Sequence, residues 1–323
     1  MVADPAFDGD DLRLIEALQC DGRVTVEQAA RVLGLPVRAV QRRMRVLLGD
    51  GVVRVVAVPP GALARGVVVL RIRVLRGKLD PITAALAARE DIPLVDVSAA
   101  GDEILALLLA GPDTRHRLVF RQLPATSAVT SVEAQTVMHV FSDATDWRLG
   151  VLSDAERAAL GCGGQAAERP LDDLDRAVLR LLGEDLRLPA ATIAARLGHP
   201  ESTVRRRLSA LRANGRFVTQ AFVDPARLGL TIDANLLMRV PPDLLDRAGR
   251  ALARHPAVHG AMATTGASNL HAAVWLRDLE HLYAFITQDL AALGVTEVET
   301  VLIGASVKRP GKALSPRGKA FSR

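Results

Sequence analysis

Shifted against itself by 164 residues, the 323-residue sequence meets its own image. Residues 8–57 align with 172–221 without a gap, and 15 of the 50 pairs are identical. They include Asp11 with Asp175, Arg23 with Arg187, Leu33-Gly34 with Leu197-Gly198 and Pro36 with Pro200. They continue through Val40 with Val204, Arg42-Arg43 with Arg206-Arg207, Leu47 with Leu211 and Gly51 with Gly215. A chain rich in Ala, Arg and Leu matches itself at scattered positions by chance, but not at this density. Beyond residue 57 the identity fades while the order of elements continues. The unit is half the chain, too long for a stacked solenoid repeat, so the chain reads as a duplicated two-domain module. Its join falls at Gly161-Cys162-Gly163-Gly164-Gln165, flexible by composition.

The second copy is the easier one to read. Leu174, Val178, Leu181 and Leu182 recur at helical spacing, and Asp172 and Asp173 precede them as cap candidates. A short helix carrying Ile193, Ala194 and Leu197 stops at Gly198, as a left-handed cap residue would stop it. Pro200 opens a third helix with Val204, Leu208 and Leu211 inside, ended by Asn214-Gly215. Three helices with a tight glycine turn between the second and third form the helix-turn-helix pattern. Phe217 to Val223 then reads as a wing or a connecting strand.

A wheel at 100° per residue places Ser202, Arg205, Arg206 and Ser209 opposite the apolar stripe, with Arg207 on the flank. In the first copy Val40, Met44 and Leu47 face in, and Arg38, Gln41, Arg42 and Arg45 face out. Arg can donate two bonds to a guanine edge, and Ser reaches a base or a phosphate. With Arg43 and Thr203 these eleven residues are the expected DNA contacts. The plainer reading, solvated faces of ordinary helices, competes for one such helix and weakens when two copies show the same frame. Gln41 stands where Arg205 stands, and Arg45 where Ser209 stands, so the two faces need not read the same half-site.

After each triplet of helices the period changes. Ile232–Val240, Val258–Thr264, Leu270–Trp275 and Val295–Ile303 read as strands, with helices on Leu244–Leu252 and Leu279–Leu290. That βαββαβ order is ferredoxin-like. The first copy supplies strands at Val67–Val74, Leu94–Ala99, Ile104–Ala110 and Val132–Phe141, with helices from Leu79 and near Thr114. The expected class is α+β, a winged or helix-turn-helix domain plus a ferredoxin-like domain, twice in one chain. The expected bounds are helix-turn-helix at 7–58, α/β at 65–142, linker at 143–170, helix-turn-helix at 171–223, α/β at 230–309 and a basic tail at 310–323. The end from Lys308 to Arg323 holds six cations and no acid, which suits a disordered tail that adds nonspecific DNA affinity.

Leu171-Asp172-Asp173-Leu174-Asp175-Arg176, the Leu197-Gly198 turn, Ser202-Thr203-Val204-Arg205-Arg206-Arg207-Leu208, and Val223-Asp224-Pro225 with Leu228-Gly229 together resemble the leucine-responsive regulator/AsnC family. The resemblance covers most of 171–309, and more distantly about 8–141. It implies a DNA-binding unit followed by a ferredoxin-like module that binds a small-molecule effector such as an amino acid and pairs its sheets into dimers. A typical member holds one copy of each, so this chain resembles two members fused. The partners implied are double-stranded DNA, the effector, and either further copies of the chain or, as an intramolecular pseudo-dimer, its own second half. Three departures stand out. Pro36 and Pro200 occupy positions where the family often has a capping Ser. The family's effector loop resembles Gly-Asp/Glu-x-Asp, of which the first copy keeps Gly101-Asp102 and the second has Gly266-Ala267-Ser268-Asn269. A bare β-turn competes for both loops. The tail is the third departure.

Composition narrows the remaining classes. Hydrophobic residues make up 49% and aromatics 3%, so cores rest on Leu, Val, Ile and Ala. Net charge is +5, and only four of 41 basic residues are Lys; a single Arg therefore says little, and only Arg clustered in a defined frame counts. Cys20 and Cys162 form no CxxC pair, which argues against a disulfide framework or a cysteine zinc site. Met1 to Asp11 is acidic without an apolar core, and no apolar run reaches the ~18 residues a span needs; a cytoplasmic protein without membrane attachment is expected. No cofactor is called for. The competing classes are an enzyme like the siroheme decarboxylases, for which His139, His255, His259, His271 and His281 are the residues to inspect, and a metabolite sensor that does not bind DNA. No nucleophile triad or phosphate-binding glycine loop is present.

Overall fold

A computed structural model describes residues 7–49, 51–61, 66–75, 77–109, 118–123, 125–161, 170–309 and 312–313. The chain divides into two units, and the division cuts across the repeat. Residues 1–62 and 148–228 form one, and 63–147 with 229–322 form the other. Both helix-turn-helix copies thus share a unit, and so do both α/β modules.

In the first unit, α1 (Gly9–Cys20), α2 (Val26–Leu33) and α3 (Val37–Gly49) make one head. After α5 (Asp154–Ala159), α6 (Asp173–Glu184), α7 (Ala190–Leu197) and α8 (Glu201–Ala213) make the other. Asp8 caps α1 by accepting from the Asp11 amide, and Asp172 caps α6 by accepting from Asp175. Each is half of a reciprocal capping box. Gly34 and Gly198 both sit at φ +66 after the second helix, the backbone that lets the chain turn sharply and that other residues resist. Pro200 gives α8 no side-chain cap, and its carbonyl takes the Thr203 and Val204 amides instead.

The heads share one apolar core. Leu14, Leu18, Val40, Met44 and Leu47 of the first belong to the same buried cluster as Val178, Leu182, Ile193, Val204 and Leu211 of the second. Each such side chain contributes roughly 1.5–3 kcal/mol of burial, so neither head has a reason to separate. β1 (Val53–Val58) pairs antiparallel with β6 (Val218–Val223), and Val56 lies opposite Gln220, its own image in the repeat. The expected wing is therefore the strand that joins the copies. Arg23 donates to the Leu186 and Leu188 carbonyls (2.5 and 3.3 Å), while Arg187 donates to those of Gly22 and Val24 (2.8 and 3.2 Å). Each identical Arg closes the other copy's turn. The segment expected as linker is partly built structure. Buried Glu16 accepts from the Val151 and Leu152 amides at 2.6 and 3.0 Å, and Leu152 and Leu160 enter the core. Cys162 to Gln165 lie outside the described residues, as does Thr114.

In the second unit, β2 (Val67–Val74), α4 (Leu79–Ala87), β3 (Leu94–Ser98), β4 (Glu103–Leu109) and β5 (Val129–Ser142) form one module. The other comprises β7 (Ile232–Arg239), α9 (Pro242–Leu252), β8 (Val258–Thr264), β9 (Leu270–Leu276), α10 (Leu279–Ala284, extended by a π turn over Phe285–Leu290) and β10 (Glu297–Arg309). The strand order is β5-β2-β4-β3 in one and β10-β7-β9-β8 in the other, the ferredoxin arrangement twice. β5 then pairs with β8, and β10 with β3, so among the described residues eight strands close into a ring. A closed ring leaves no unpaired edge.

The two seams have the same register but different chemistry. In one, Asp96 lies opposite Ser306; at the matching place in the other, Met262 lies opposite Val140. Arg309 donates to Asp96 at 2.6 Å and reaches Asp233 at 3.5 Å. Burial opposes its charge, but Asp96 and Asp233 outweigh burial and hold the guanidinium pKa above its ordinary value. A second tie is Arg71, which donates to Glu103 at 2.6 Å and to Glu299 of the other module at 2.8 and 2.7 Å. The tail expectation needs correction here: Lys308 and Arg309 are strand residues in a seam, because their partners, the Arg89 carbonyl and Asp96, are distant in sequence. Residues 310–311 and 314–323 lie outside the described residues. No helix among the described residues is long and apolar enough to cross a membrane.

Candidate nucleic-acid interface

α3 and α8 each bury one stripe, Val40, Met44 and Leu47 in the first and Val204, Leu208 and Leu211 in the second. That burial fixes which side chains face solvent. Arg38, Gln41, Arg42 and Arg45 are exposed on α3, and Ser202, Arg205, Arg206 and Ser209 on α8; Thr203 is half-buried. Arg38, Arg42, Arg45 and Arg206 carry no ion pair among the described residues. Arg205 is ion-paired with Glu201, one helical turn earlier, and Ser209 donates its hydroxyl to the Arg205 carbonyl at 3.1 Å.

Arg43 and Arg207 stand apart from the others. Arg43 sits among the carboxylates of the first helix, 2.8 Å from Asp8, 3.4 Å from Asp10 and 2.6 Å from Asp11. Arg207 repeats this with Asp172 at 2.7 Å and Asp175 at 3.4 Å. The Asp11 amide and the Arg43 guanidinium hold the Asp8 carboxyl below its usual range. The hydrogen bonds that Arg43 donates to Asp11 and Asp8 in turn raise its pKa. These two arginines, grouped by sequence with the DNA-facing set, spend their donors clamping the recognition helix onto the first helix. The wheel set Arg207 on the flank, but both arginines stayed in the DNA-facing set. Their acid partners were the readable signal, since Asp8 and Asp11 recur as Asp172 and Asp175 across the repeat.

The proposed effector loops lie in the other unit. Gly101 has φ +72. Asp102 accepts from the Ser98 hydroxyl at 3.2 Å, and that hydroxyl accepts from the Glu103 amide at 3.1 Å. Gly266 and Ala267 form an exposed tip, where Gly266 has φ +106 and Ser268 offers its carbonyl to Thr264 at 3.0 Å. Each loop is fastened to the other module. Ala99 donates to the Leu302 carbonyl at 2.7 Å, and Thr265 to that of Thr136 at 2.9 Å.

The histidines do not converge. His139 packs edge-on against Phe141, His255 against Phe285, and His281 bonds Asp278 at the start of α10. His259 stacks on Trp275 at 3.8 Å and lies 3.9 Å from Asp233. His271 is buried near Arg71, and burial first, then that positive charge, lowers its pKa to about 4. Among the described residues no group of three or more His, Cys, Asp or Glu is placed to hold a metal ion.

Comparison with known proteins matches both helix-turn-helix copies and the second α/β module. The AsnC-type helix-turn-helix domain matches residues 7–48 and again 171–212, and the Lrp/AsnC ligand binding domain matches 234–312. An HTH-type transcriptional regulator of Pyrococcus horikoshii is 35% identical over 147 residues, which span 44% of this chain and 91% of the relative. The HTH-type transcriptional regulator LrpA of the same organism is 28% identical over 140 residues, 43% of this chain and 99% of LrpA. Among solved structures, the siroheme decarboxylase NirDL covers 93% of this chain and 92% of its own, at TM-score 0.61 and 14% identity. At that identity the likeness is one of fold.

Proposed function

We infer that this chain, which belongs to the Lrp/AsnC family of transcriptional regulators, is a sequence-specific DNA-binding regulator carrying both half-site readers in one polypeptide. The observation that carries the reading is the pair of exposed polar and basic helix faces on α3 and α8, held in one unit by the β1·β6 pairing and a shared core. A helix-turn-helix reader lays its recognition helix in the major groove, and a two-fold pair of them contacts half-sites about 34 Å apart. The bases are contacted by Arg38, Gln41, Arg42 and Arg45 in one half-site and by Ser202, Arg205, Arg206 and Ser209 in the other. The family's dimer is supplied here as an intramolecular pseudo-dimer, a reading the seam pairings of the second unit support. Larger homo-oligomers form, where they form, outside the closed ring.

The effector is a small metabolite, with an amino acid as the first class to try. The loop at Gly101-Asp102 is the better candidate because it keeps a carboxylate to face an ammonium group; Gly266-Ala267-Ser268 offers none. Both loops hydrogen-bond the opposite module, so a ligand at either would pull directly on a seam. Selection of bound duplexes from a random pool by the full chain tests the DNA reading, with a single enriched imperfect palindrome expected. Calorimetry with an amino-acid panel, on wild type and Asp102→Ala, tests the effector site; unchanged binding in the variant removes Asp102 from it. A reaction on a tetrapyrrole is the competing reading for the NirDL-like fold. Protein that takes up a tetrapyrrole, with its visible absorption, while enriching no duplex would replace the regulator reading.

A further inference from the structure

Resting on the DNA-binding reading above, we propose that the two heads divide the work on DNA unequally: α3 supplies most of the electrostatic grip, and α8, through Glu201 held by Arg205, selects a cytosine-bearing half-site. The repeat makes the comparison direct, since residue n of α3 corresponds to n + 164 of α8. Val37 corresponds to Glu201, Arg38 to Ser202, Gln41 to Arg205, Arg42 to Arg206 and Arg45 to Ser209. The α3 face therefore carries three exposed guanidinium groups, no exposed acid, and Val37 at 48% exposure at its start. The α8 face carries the same number of outward positions but only one cation unpaired among the described residues, Arg206, together with an exposed carboxylate ion-paired to Arg205.

Three physical consequences follow. Each cation placed on a phosphate releases about one counterion, so nonspecific affinity and its salt dependence scale with the unpaired cations a face presents. By that measure α3 outweighs α8. A carboxylate beside the backbone does the opposite, because it repels phosphate, yet at a base edge it has one good partner, the N4 amino group of cytosine. Finally, the first turn of a recognition helix is the part that approaches base edges, and Glu201 and Val37 are each the first residue of their helix. An exposed Val in that place offers apolar contact to a thymine methyl group. The bland account of Glu201 is that an acid in the first turn suits the helix dipole. That account explains its presence, but it predicts no base preference, and the two accounts part there.

The test is duplex selection and salt titration on the full chain. Wild type, Glu201→Gln, Glu201→Val, Arg206→Ala and the double variant Arg42→Ala/Arg45→Ala are compared, each checked for an unchanged melting profile. Glu201→Gln keeps the size and the first-turn position while losing the charge. It should exchange a cytosine for an adenine in one half-site only, with at least about fivefold loss on the original duplex. Glu201→Val frees Arg205 and should steepen the slope of log K against log salt by about one. Arg42→Ala/Arg45→Ala removes two groove cations and should flatten that slope more than Arg206→Ala, which removes one. The proposal is overturned if both Glu201 variants select the wild-type site, or if Arg206→Ala flattens the slope as much as the double variant does. A wild type that enriches no duplex at all is a different result, and sinks the DNA reading itself.

Discussion

At the scale of single residues, several positions kept identical between the copies hold the heads together, while Arg42 and Arg206 are identical and face outward. Asp8, Asp11 and Arg43 match Asp172, Asp175 and Arg207, and Arg23 matches Arg187. The clamp around Arg43 is only 19% exposed on the arginine side, so its charge-assisted bonds should be worth more than a surface pair. Arg43→Ala is expected to lower unfolding free energy by about 1–2 kcal/mol in urea titration, and Arg207→Ala by a similar amount. No change in either would mean that the capping boxes alone seat the helices. His271 gives a pH signature. Burial holds its folded pKa near 4, below the ordinary value of 6.5, so the neutral ring is the folded form. Its contribution is fully present above pH 6.5 and is lost as pH falls toward 4, by at most about 3 kcal/mol. Among the described residues the His271 Nε2 has no hydrogen-bond partner, so His271→Leu should cost little at pH 7 beyond the ring's bond at the Ser268 backbone and should flatten the stability profile between pH 6.5 and 4.5. A profile that stays as steep in the variant would assign the acid sensitivity elsewhere. Glu156, whose pKa is held at about 2 first by the Ser153 amide and hydroxyl, acts only below pH 4.5.

At the scale of elements, the seam between β3 and β10 is the most specific piece of the architecture. Breaking a buried ion pair by removing one partner costs about 3–5 kcal/mol when nothing replaces it. Asp96→Met, which copies Met262 from the matching seam, leaves Arg309 only the longer 3.5 Å contact with Asp233 and should be destabilising by up to that order in chemical denaturation. Adding Arg309→Leu should return part of the loss, since Asp233 then gives up that contact. If the double variant is no more stable than the single one, Asp96 and Arg309 do not act as a pair. Much of this level was legible beforehand. The strands of the second module, the helix triplets and the glycine stops all follow from local periodicity and turn chemistry. The pairing of β5 with β8 and of β10 with β3 did not, because an alternating apolar pattern tells a strand which face to bury but not which edge to join. Lys308 and Arg309 were misassigned for the same reason: read locally they are a basic run, while Asp96 lies 213 positions away. The segment at Leu149–Leu160 hid behind its short length and its polar capping box.

At the scale of the whole molecule, the proposed pseudo-dimer requires one chain to occupy both half-sites. Static light scattering across a concentration series, paired with stoichiometric titration of a selected duplex, checks this: one chain per duplex is expected. On that duplex Arg42→Ala should relax base preference in one half-site and Arg206→Ala in the other. If each substitution weakens both halves alike, two chains are presenting the same head and the pseudo-dimer is wrong. The seams carry a further consequence for the lineage of such a chain. In a protein assembled from two identical subunits every mutation arrives twice, once on each side of the symmetry axis, so a lone buried acid on one side and its base on the other can never be introduced together. Joining the genes removes that mirror. Asp96 and Arg309 have no like-charged twins at the matching positions, which hold Met262 and Asp143. Two first modules would bury Asp96 against Val140, and two second modules would set Arg309 beside Met262. A fused gene that has drifted this far is ratcheted: cutting it back into interchangeable halves would return two pieces that each fit only the other.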